Sequence, residues 1–391
     1  PGLERAIELL HQVPLGKAEL PETCPENGLG ELETLEQLAP YVLGEAAPLD
    51  SPEAIAHMDP PTPWITWATA LWNARLNQNL LHRSTAPFAT EAEQRVMDWL
   101  APFFGMGGGH FCSGSTVSNL TALWAARDGV GITRVVASTA AHISIEKAAR
   151  ILGLPYEQIP VNGAEQIDVS QLGDLSDAAL VLIAGTTTTG AIDPLRLAGQ
   201  AKWTHVDAAW GGPLRLSATH AHLLDGIDAA DSVTVSAHKW LFQPKDSALI
   251  MFRNPELANE AISFGGSYLS TPNVGVQGSR GAAAIPLLAT LLAWGRVGMA
   301  ERIDRAMAIA TRLAEALDGM DNIELWAMPT TGVTVFRPRH STTEDLYRRL
   351  PEGMLSTSMV QGDRWLRSVA ANPMADIDPI IAAIRQAVDS P

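Results

Sequence analysis

Short apolar runs alternate with helix-like stretches through the middle of the chain. The runs are RVVAS (134–138), ALVLIAG (179–185), THVDA (204–208), SVTVSA (232–237) and SALIMF (247–252). Each is nearly continuous in hydrophobic residues, as strands buried on both faces are. Stretches such as SIEKAARILG (144–153) separate some of them. The alternation predicts an α/β unit whose sheet is mostly parallel and covered by helices. Upstream, EAEQRVMDWLAPFFG (91–105) sets Val96, Trp99, Leu100 and Phe103 at helical spacing. The uncharged run GAAAIPLLATLLAWG (281–295) is too short for a membrane span and contains Pro286, so it predicts a buried helix.

After residue 296 the pattern changes. An amphipathic helix is predicted over 300–318, with Ile303, Met307, Ala310, Leu313 and Leu317 on one face. IELWAM (323–328), GVTVFRP (332–338), a short helix, WLRSVA (365–370) and a closing helix then suggest a smaller α+β domain. At the other end, PGLERAIELLHQVP reads as an amphipathic helix and not as a signal peptide. Residues 20–63, rich in Pro, Glu and Gly, suit a meandering arm. The expected organisation is an N-terminal arm with a helical segment (1–60), a large α/β domain (61–295) and a small C-terminal domain (296–391).

Composition narrows the functional classes. With 391 residues, 46% hydrophobic and 18% charged, the chain is globular and long enough for a large core. A formal net charge of −16 argues against nucleic-acid binding and against binding to an anionic membrane. The two cysteines, Cys24 and Cys112, form neither a CxxC pair nor a disulfide framework, so the cytoplasm is the expected compartment. No metal is expected.

Polar groups gather at the C-terminal ends of the predicted strands, where open α/β sheets place their ligands. In CSGSTVSNLTALWAARD, Gly114, Ser115 and Thr116 precede a helix beginning around Val117, which reads as a phosphate site or as an ordinary N-cap. In HVDAAWGGP, Asp207 ends an apolar strand, and a buried carboxylate needs a cation or donors to meet it. AGTTTTG (184–190) is a hydroxyl-rich turn, and His142 follows another strand. Lys239, at the end of SVTVSAHK beside apolar Trp240 and cation-capable His238, sits where a lysine pKa falls, as a Schiff-base lysine requires. A phosphate cradle, a buried aspartate, a ring-sized histidine and a desolvated lysine together are the inventory for pyridoxal phosphate.

The chain resembles the group II pyridoxal-phosphate-dependent amino acid decarboxylases, which include glutamate, diaminobutyrate and aromatic amino acid decarboxylases. The resemblance runs through NQNLLHRSTAPFATEAEQRVMDWL (77–100), SGSTVSNLTALWAAR (113–127), AHISIEKAA (141–149), AGTTTTGAIDPL (184–195), HVDAAWGG (205–212) and SVTVSAHKWLFQP (232–244). It continues in GSRGAAAIPLLATLLAWGRVG (278–298) and WLRSVAANP (365–373), so most of the chain from about residue 60 is covered. It implies the aspartate-aminotransferase type of PLP-dependent transferase fold (fold type I). That fold is a mostly parallel seven-stranded sheet with a smaller C-terminal α+β domain, in a homodimer with active sites at the interface. It also implies pyridoxal 5′-phosphate as cofactor.

Carried over by position, Lys239 resembles the lysine that holds the cofactor, Asp207 the partner of its pyridine nitrogen, and His142 the histidine stacked on its ring. Ser115 and Thr116 match the phosphate loop, with Ser232, Ser236 and His238 completing that site. Thr187 matches a threonine near the ring oxygen, and Ala209 a small residue against the ring. Arg367 matches an arginine that binds the substrate α-carboxylate in several members.

The implied reaction is loss of the α-carboxylate from an L-amino acid, giving an amine and carbon dioxide. The substrate stays open between diaminobutyrate-like, acidic and aromatic amino acids. Trp64, Trp67 and Trp72 would line an aromatic pocket or belong to the core, and His82 and Arg83 would suit an acidic side chain. Many relatives carry a mobile loop whose tyrosine protonates the carbanion; here SYLSTPNVGVQGSR (267–280) is short, and only Tyr268 lies near. Three alternatives follow: another pyridoxal-phosphate-dependent carbon–carbon lyase, decarboxylation coupled to amine oxidation or transamination, and a cofactor-binding homologue without turnover.

Overall fold

The computed structural model describes residues 2–12, 20–267, 269 and 272–389. They form two compact units, one ending at Leu49 and the other starting at Asp50. The first holds helices α1 (Gly2–His11) and α2 (Glu31–Val42), tied by an Arg5–Glu36 ion pair. Helix α2 falls where the sequence suggested only a meandering arm. Its Glu31 and Glu33 favour the positive end of the helix, and the surrounding Pro and Gly residues conceal the helical stretch.

In the second unit, α3 (Trp64–Leu76) and α4 (Pro87–Leu100) precede β1 (Gly108–Cys112). Next come α5 (Ser115–Val130), β2 (Arg134–Ser138), α6 (Ile143–Ile151) and β3 (Tyr156–Ile159). Strands β4 (Ala178–Ile183), β5 (Trp203–Asp207), β6 (Ser232–Val235) and β7 (Ala248–Phe252) follow. The seven strands form one sheet in the order β1-β7-β6-β5-β4-β2-β3. It is mostly parallel, as expected, and β7 alone runs against both its neighbours. Every residue of β4 to β7 is buried, which is why their sequences are continuously apolar and not alternating.

Two strands of this sheet carry little sequence signal. β1 reads GGHFC, and Gly109 is needed because a Cβ there would stand 2.0 Å from the Ile250 carbonyl oxygen. β3 is an edge strand with Glu157 and Gln158 exposed.

Helix α7 (Pro255–Ile262) and the short pair β8 (Ser263–Phe264) and β9 (Asn273–Val274) lead to α8 (Ala284–Asp318). The two helices expected on either side of residue 296 are nearly continuous, broken only at Gly295 with φ 63° and ψ −177°. A second, antiparallel sheet is built from β10 (Ile323–Leu325), β11 (Val333–Pro338), β12 (Ser356–Val360) and β13 (Asp363–Val369), in the order β10-β11-β13-β12. Helix α9 (Thr343–Arg349) lies between β11 and β12, and α10 (Ile377–Asp389) closes the described chain. Half-exposed β12, STSMV, was not expected from the sequence.

The two sheets share one apolar core, in which the Trp210 and Trp240 rings pack together, tilted by 32° with centroids 4.1 Å apart. Trp210 donates to the Thr331 carbonyl at 2.7 Å, and Trp240 to the Ala370 carbonyl at 3.2 Å. Gly332, at φ 66°, is pinned beneath them, because a Cβ there would lie 2.6 Å from the Trp240 ring. Truncating either buried indole is expected to cost about 3–5 kcal/mol. The pair thereby locks the turn after β6 to the second sheet.

Candidate active site

A cavity of about 300 Å³ opens at the C-terminal ends of β4 and β5 and over the turn after β6. One wall is the start of α5. No side chain caps this helix, so its first amides and the positive end of its dipole face the cavity beside the Ser115 and Thr116 hydroxyls. The helix begins two residues earlier than the sequence suggested. His238 stands opposite: a Cβ on Gly114 would come within 4.0 Å of its Cε1. Its Nε2 lies 3.1 Å from Ser236 Oγ, while its buried Nδ1 has no partner among the described residues. Burial, reinforced by Lys245 and Lys239, pulls the His238 pKa down to about 4, so the ring is neutral at pH 7.

Lys239 lies in the same turn. β6 ends at Val235, the Lys239 amide donates to the Ser236 carbonyl at 3.2 Å, and Phe242, at φ 59°, donates back to the Lys239 carbonyl at 2.9 Å. The tight turn aims the amine into the cavity, where it makes no hydrogen bond among the described residues. Burial lowers its pKa below the ordinary lysine value, partly offset by Asp207 and Asp59. Asp59 is ion-paired with Lys245, and neither was singled out in the sequence.

Asp207 ends β5 inside the cavity, only 5% exposed. Its Oδ1 accepts from the Ala209 amide at 3.1 Å, and its Oδ2 from Asn119 Nδ2 at 2.9 Å. His142 is the N-cap of α6: its Nδ1 accepts from the Ser144 amide at 3.2 Å. Burial holds the His142 pKa below the usual histidine value against the opposing pull of Asp207. Thr187 and Ala209 complete the lining.

The cavity thus brings together Ser115, Thr116, His142, Thr187, Asp207, Ala209, His238 and Lys239. Ser236 sits behind His238, through its hydroxyl. Ser232 is not part of the cavity. It opens β6, paired in register with His205 and not with Asp207, and its hydroxyl bonds to Trp203 and His205. Arg367 is outside the lining but adjoins it: its guanidinium donates to the Thr187 carbonyl, to Ser356 Oγ at 3.0 Å and to the Ala56 carbonyl at 3.4 Å. None of those three acceptors is charged, and burial lowers the Arg367 pKa. Tyr268 lies outside the described residues. Trp64, Trp67 and Trp72 belong neither to this cavity nor to the core; they are 70%, 54% and 61% exposed on α3. His82 and Arg83 do not line it either.

Asn119 and His205 are site residues that the sequence reading missed. The signals were there. Asn119 follows Ser115 by one helical turn, and His205 precedes Asp207 by two residues on the same face of β5. A larger, more open crevice of about 570 Å³ lies beside the cavity and shares Ser113 with it. Its cations are already matched, Lys245 by Asp59 and Arg280 by Glu93, so the smaller cavity is where unpaired chemistry converges.

The model of the pyridoxal-dependent decarboxylase conserved domain matches residues 14–339. An L-2,4-diaminobutyrate decarboxylase of Rhizobium meliloti is 33% identical, over 81% of this chain and 71% of its own length. An aspartate 1-decarboxylase of Aliivibrio fischeri is 30% identical, over 81% of this chain and 69% of its own. Among solved structures, the glutamate decarboxylase domain of a Vibrio parahaemolyticus protein, named as a diaminobutyrate-pyruvate transaminase and L-2,4-diaminobutyrate decarboxylase, superposes with a TM-score of 0.84. It is 23% identical and covers 98% of this chain and 92% of that one.

Proposed function

We propose, since this chain belongs to the family of pyridoxal-dependent amino acid decarboxylases and is a carboxy-lyase with pyridoxal 5′-phosphate as its cofactor, that the cavity around Lys239 is its active site. The residues present suit that cofactor. An uncapped helix start and the unpartnered His238 Nδ1 match a phosphate group, and the unpaired Lys239 amine matches an aldehyde. The observation that carries the reading is that this amine shares a cavity with Asp207 and the α5 terminus.

When bound, pyridoxal phosphate supplies a sink for the electron pair left at Cα as carbon dioxide departs. In this reading Ser115, Thr116 and His238 hold the phosphate, with Ser236 fixing His238. Lys239 holds the cofactor's aldehyde carbon, and its lowered pKa keeps more of its nitrogen free to bond. Asp207, anchored by Asn119 and Ala209, keeps a proton on the pyridine nitrogen. His142, Ala209 and Thr187, which line the same cavity, would contact the cofactor's ring. Arg367 takes the substrate α-carboxylate, the anion that its neutral partners leave room for. Ser232 takes no part in holding phosphate. The proton returned to Cα comes, in this reading, from Tyr268, His142 or a water.

The substrate is an L-amino acid with a diaminobutyrate-like, acidic or aromatic side chain; diaminobutyrate and aspartate are the named substrates of the two relatives. By role, residues 1–60 form an arm, 61–295 bind the cofactor and 296–391 supply the substrate arginine. A homodimer is supported by the exposed Trp64, Trp67 and Trp72, an apolar face of the kind a second copy covers. A cytoplasmic location is supported by the two unpaired cysteines, Cys24 and Cys112. Among the described residues no helix is long and apolar enough to cross a membrane.

Mass-spectrometric screening of amino acids for loss of carbon dioxide tests the proposal. Carbon dioxide release should vanish in Lys239→Ala together with the visible absorbance of the bound cofactor. Turnover retained by that variant would sink the assignment. The ratio of amine to carbonyl product under oxygen separates simple decarboxylation from coupled oxidation.

A further inference from the structure

A buried run of hydrogen bonds leads to both Asp207 and His142. Trp203 Nε1 lies 2.9 Å from Ser232 Oγ, which lies 2.9 Å from His205 Nδ1. His205 Nε2 meets Asn119 Oδ1 at 3.0 Å. Asn119 Nδ2 reaches Asp207 Oδ2 and Ser144 Oγ, each at 2.9 Å, and Ser144 Oγ reaches His142 Nδ1 at 2.8 Å. Trp203, Ser232, His205, Asn119 and Ser144 are all buried, and none of them lines the cavity.

Groups with no choice set the direction of this run. An indole N–H can only donate, so Ser232 Oγ accepts from Trp203 and keeps its own proton available for His205 Nδ1. The ring of His205 is neutral, since burial holds its pKa down at about 4. Its single proton belongs on Nε2, which faces the Asn119 carbonyl, and Nδ1 is left to accept from Ser232. Both Asp207 oxygens accept, Oδ1 from the Ala209 amide and Oδ2 from Asn119, so the Asn119 amide turns its NH2 to Asp207. The second hydrogen of that NH2 goes to Ser144 Oγ. At the far end the Ser144 backbone N–H can only donate, which independently makes His142 Nδ1 an acceptor. The Asp207 contact and the Ser144 backbone agree on one polarity, and the Trp203 end is compatible with it.

We infer that Asn119 and His205 are positioning residues for the reaction: His205, protonated on Nε2, orients the Asn119 amide so that it both anchors Asp207 and, through Ser144, keeps the proton of His142 on Nε2. Flipping the amide would set its carbonyl against the Asp207 carboxylate and withdraw the donor from Ser144. The run thus couples two groups that line the same cavity, and it gives His142 a fixed proton on the nitrogen that Ser144 does not engage. This rests on the proposed placement of Asp207 and His142 at the cofactor, yet its test needs no turnover.

Nitrogen–proton correlation NMR of the cofactor-loaded protein, labelled with ¹⁵N-histidine, reads the tautomers directly. In the wild type, both His205 and His142 should carry their proton on Nε2. A His205 proton found on Nδ1 overturns the inference without any variant. His205→Gln retains an amide able to donate to Asn119, whereas His205→Met does not. The glutamine variant should keep the His142 tautomer and near-native cofactor affinity. The methionine variant should scramble the His142 signals and weaken cofactor binding about 2- to 10-fold, the loss of one neutral hydrogen bond. Identical behaviour of the two folded variants refutes the relay; if the methionine variant does not fold, the wild-type tautomers decide alone. Intact tautomers in a protein that releases no carbon dioxide would count against decarboxylation and leave the relay standing.

Discussion

Replacing Glu93 by glutamine strips the charge from the partner of Arg280, which grips both carboxylate oxygens of Glu93. The two side chains are only 21% and 10% exposed. Burial presses the Arg280 guanidinium towards neutrality, and the Glu93 hydrogen bonds and charge outweigh it, leaving the pKa above the usual arginine value. Removing one member of such a pair costs about 3–5 kcal/mol, and because the amide keeps one acceptor the expected loss is about 2–3 kcal/mol. For a cooperative unit the size of residues 50–391, that lowers the melting midpoint by about 3–4 °C. Scanning calorimetry of the cofactor-loaded protein measures it. The Glu93→Met/Arg280→Met double variant should recover most of the loss, because two apolar side chains leave no buried charge. A Glu93→Gln midpoint equal to wild type, or a double variant worse than the single, would refute the reasoning. The same segment positions Gln277, whose Oε1 accepts from the Ser113 amide at 2.9 Å, so cofactor affinity should fall alongside the midpoint.

Two further outcomes are expected. Arg367→Met should raise KM for the amino acid about 10- to 100-fold while leaving the bound-cofactor absorbance intact; an unchanged KM in steady-state assays would remove Arg367 from carboxylate binding. Burial raises the Asp193 pKa to about 6, against the opposing amides of Ile167 and Ile183. Its unfolded value is about 4, so the stability it contributes is fully present below about pH 4 and is lost as pH rises through about 6. Relative to Asp193→Asn, the wild-type melting midpoint should therefore climb between pH 7 and pH 4, and a flat difference would contradict the shift.

Much of the α/β sheet was legible because burial on both faces writes strands as continuous apolar runs, as in β4 and β7. β1 was hidden by the very glycine that lets it approach Ile250, and β12 by its exposure. Local spacing located Lys239, Asp207 and the start of α5, since each sits at a strand end or a helix start. Strand register was not legible: Ser232 looked like the polar partner of Ser236, yet pairing with His205 places it behind the site. Asn119 and His205 were missed because their roles are defined by contacts 86 to 88 residues apart in sequence. The place of Arg367 depends on how the second sheet packs, which no local pattern encodes.

The paired tryptophans bear on how the protein is made. Trp240 adjoins Lys239, but its indole donates to Ala370, 130 residues later in the chain. Trp210 likewise waits for Thr331. On a ribosome adding about 5–20 residues per second, the lysine turn is synthesised roughly 7–26 seconds before its tryptophan clamp can close. During that interval the nascent chain has the Lys239 amine and the residues that line its cavity, but not the C-terminal sheet that pins the two indoles. Cofactor capture should therefore be a late event, following emergence of the C-terminal sheet, and chains truncated before residue 370 should emerge without it.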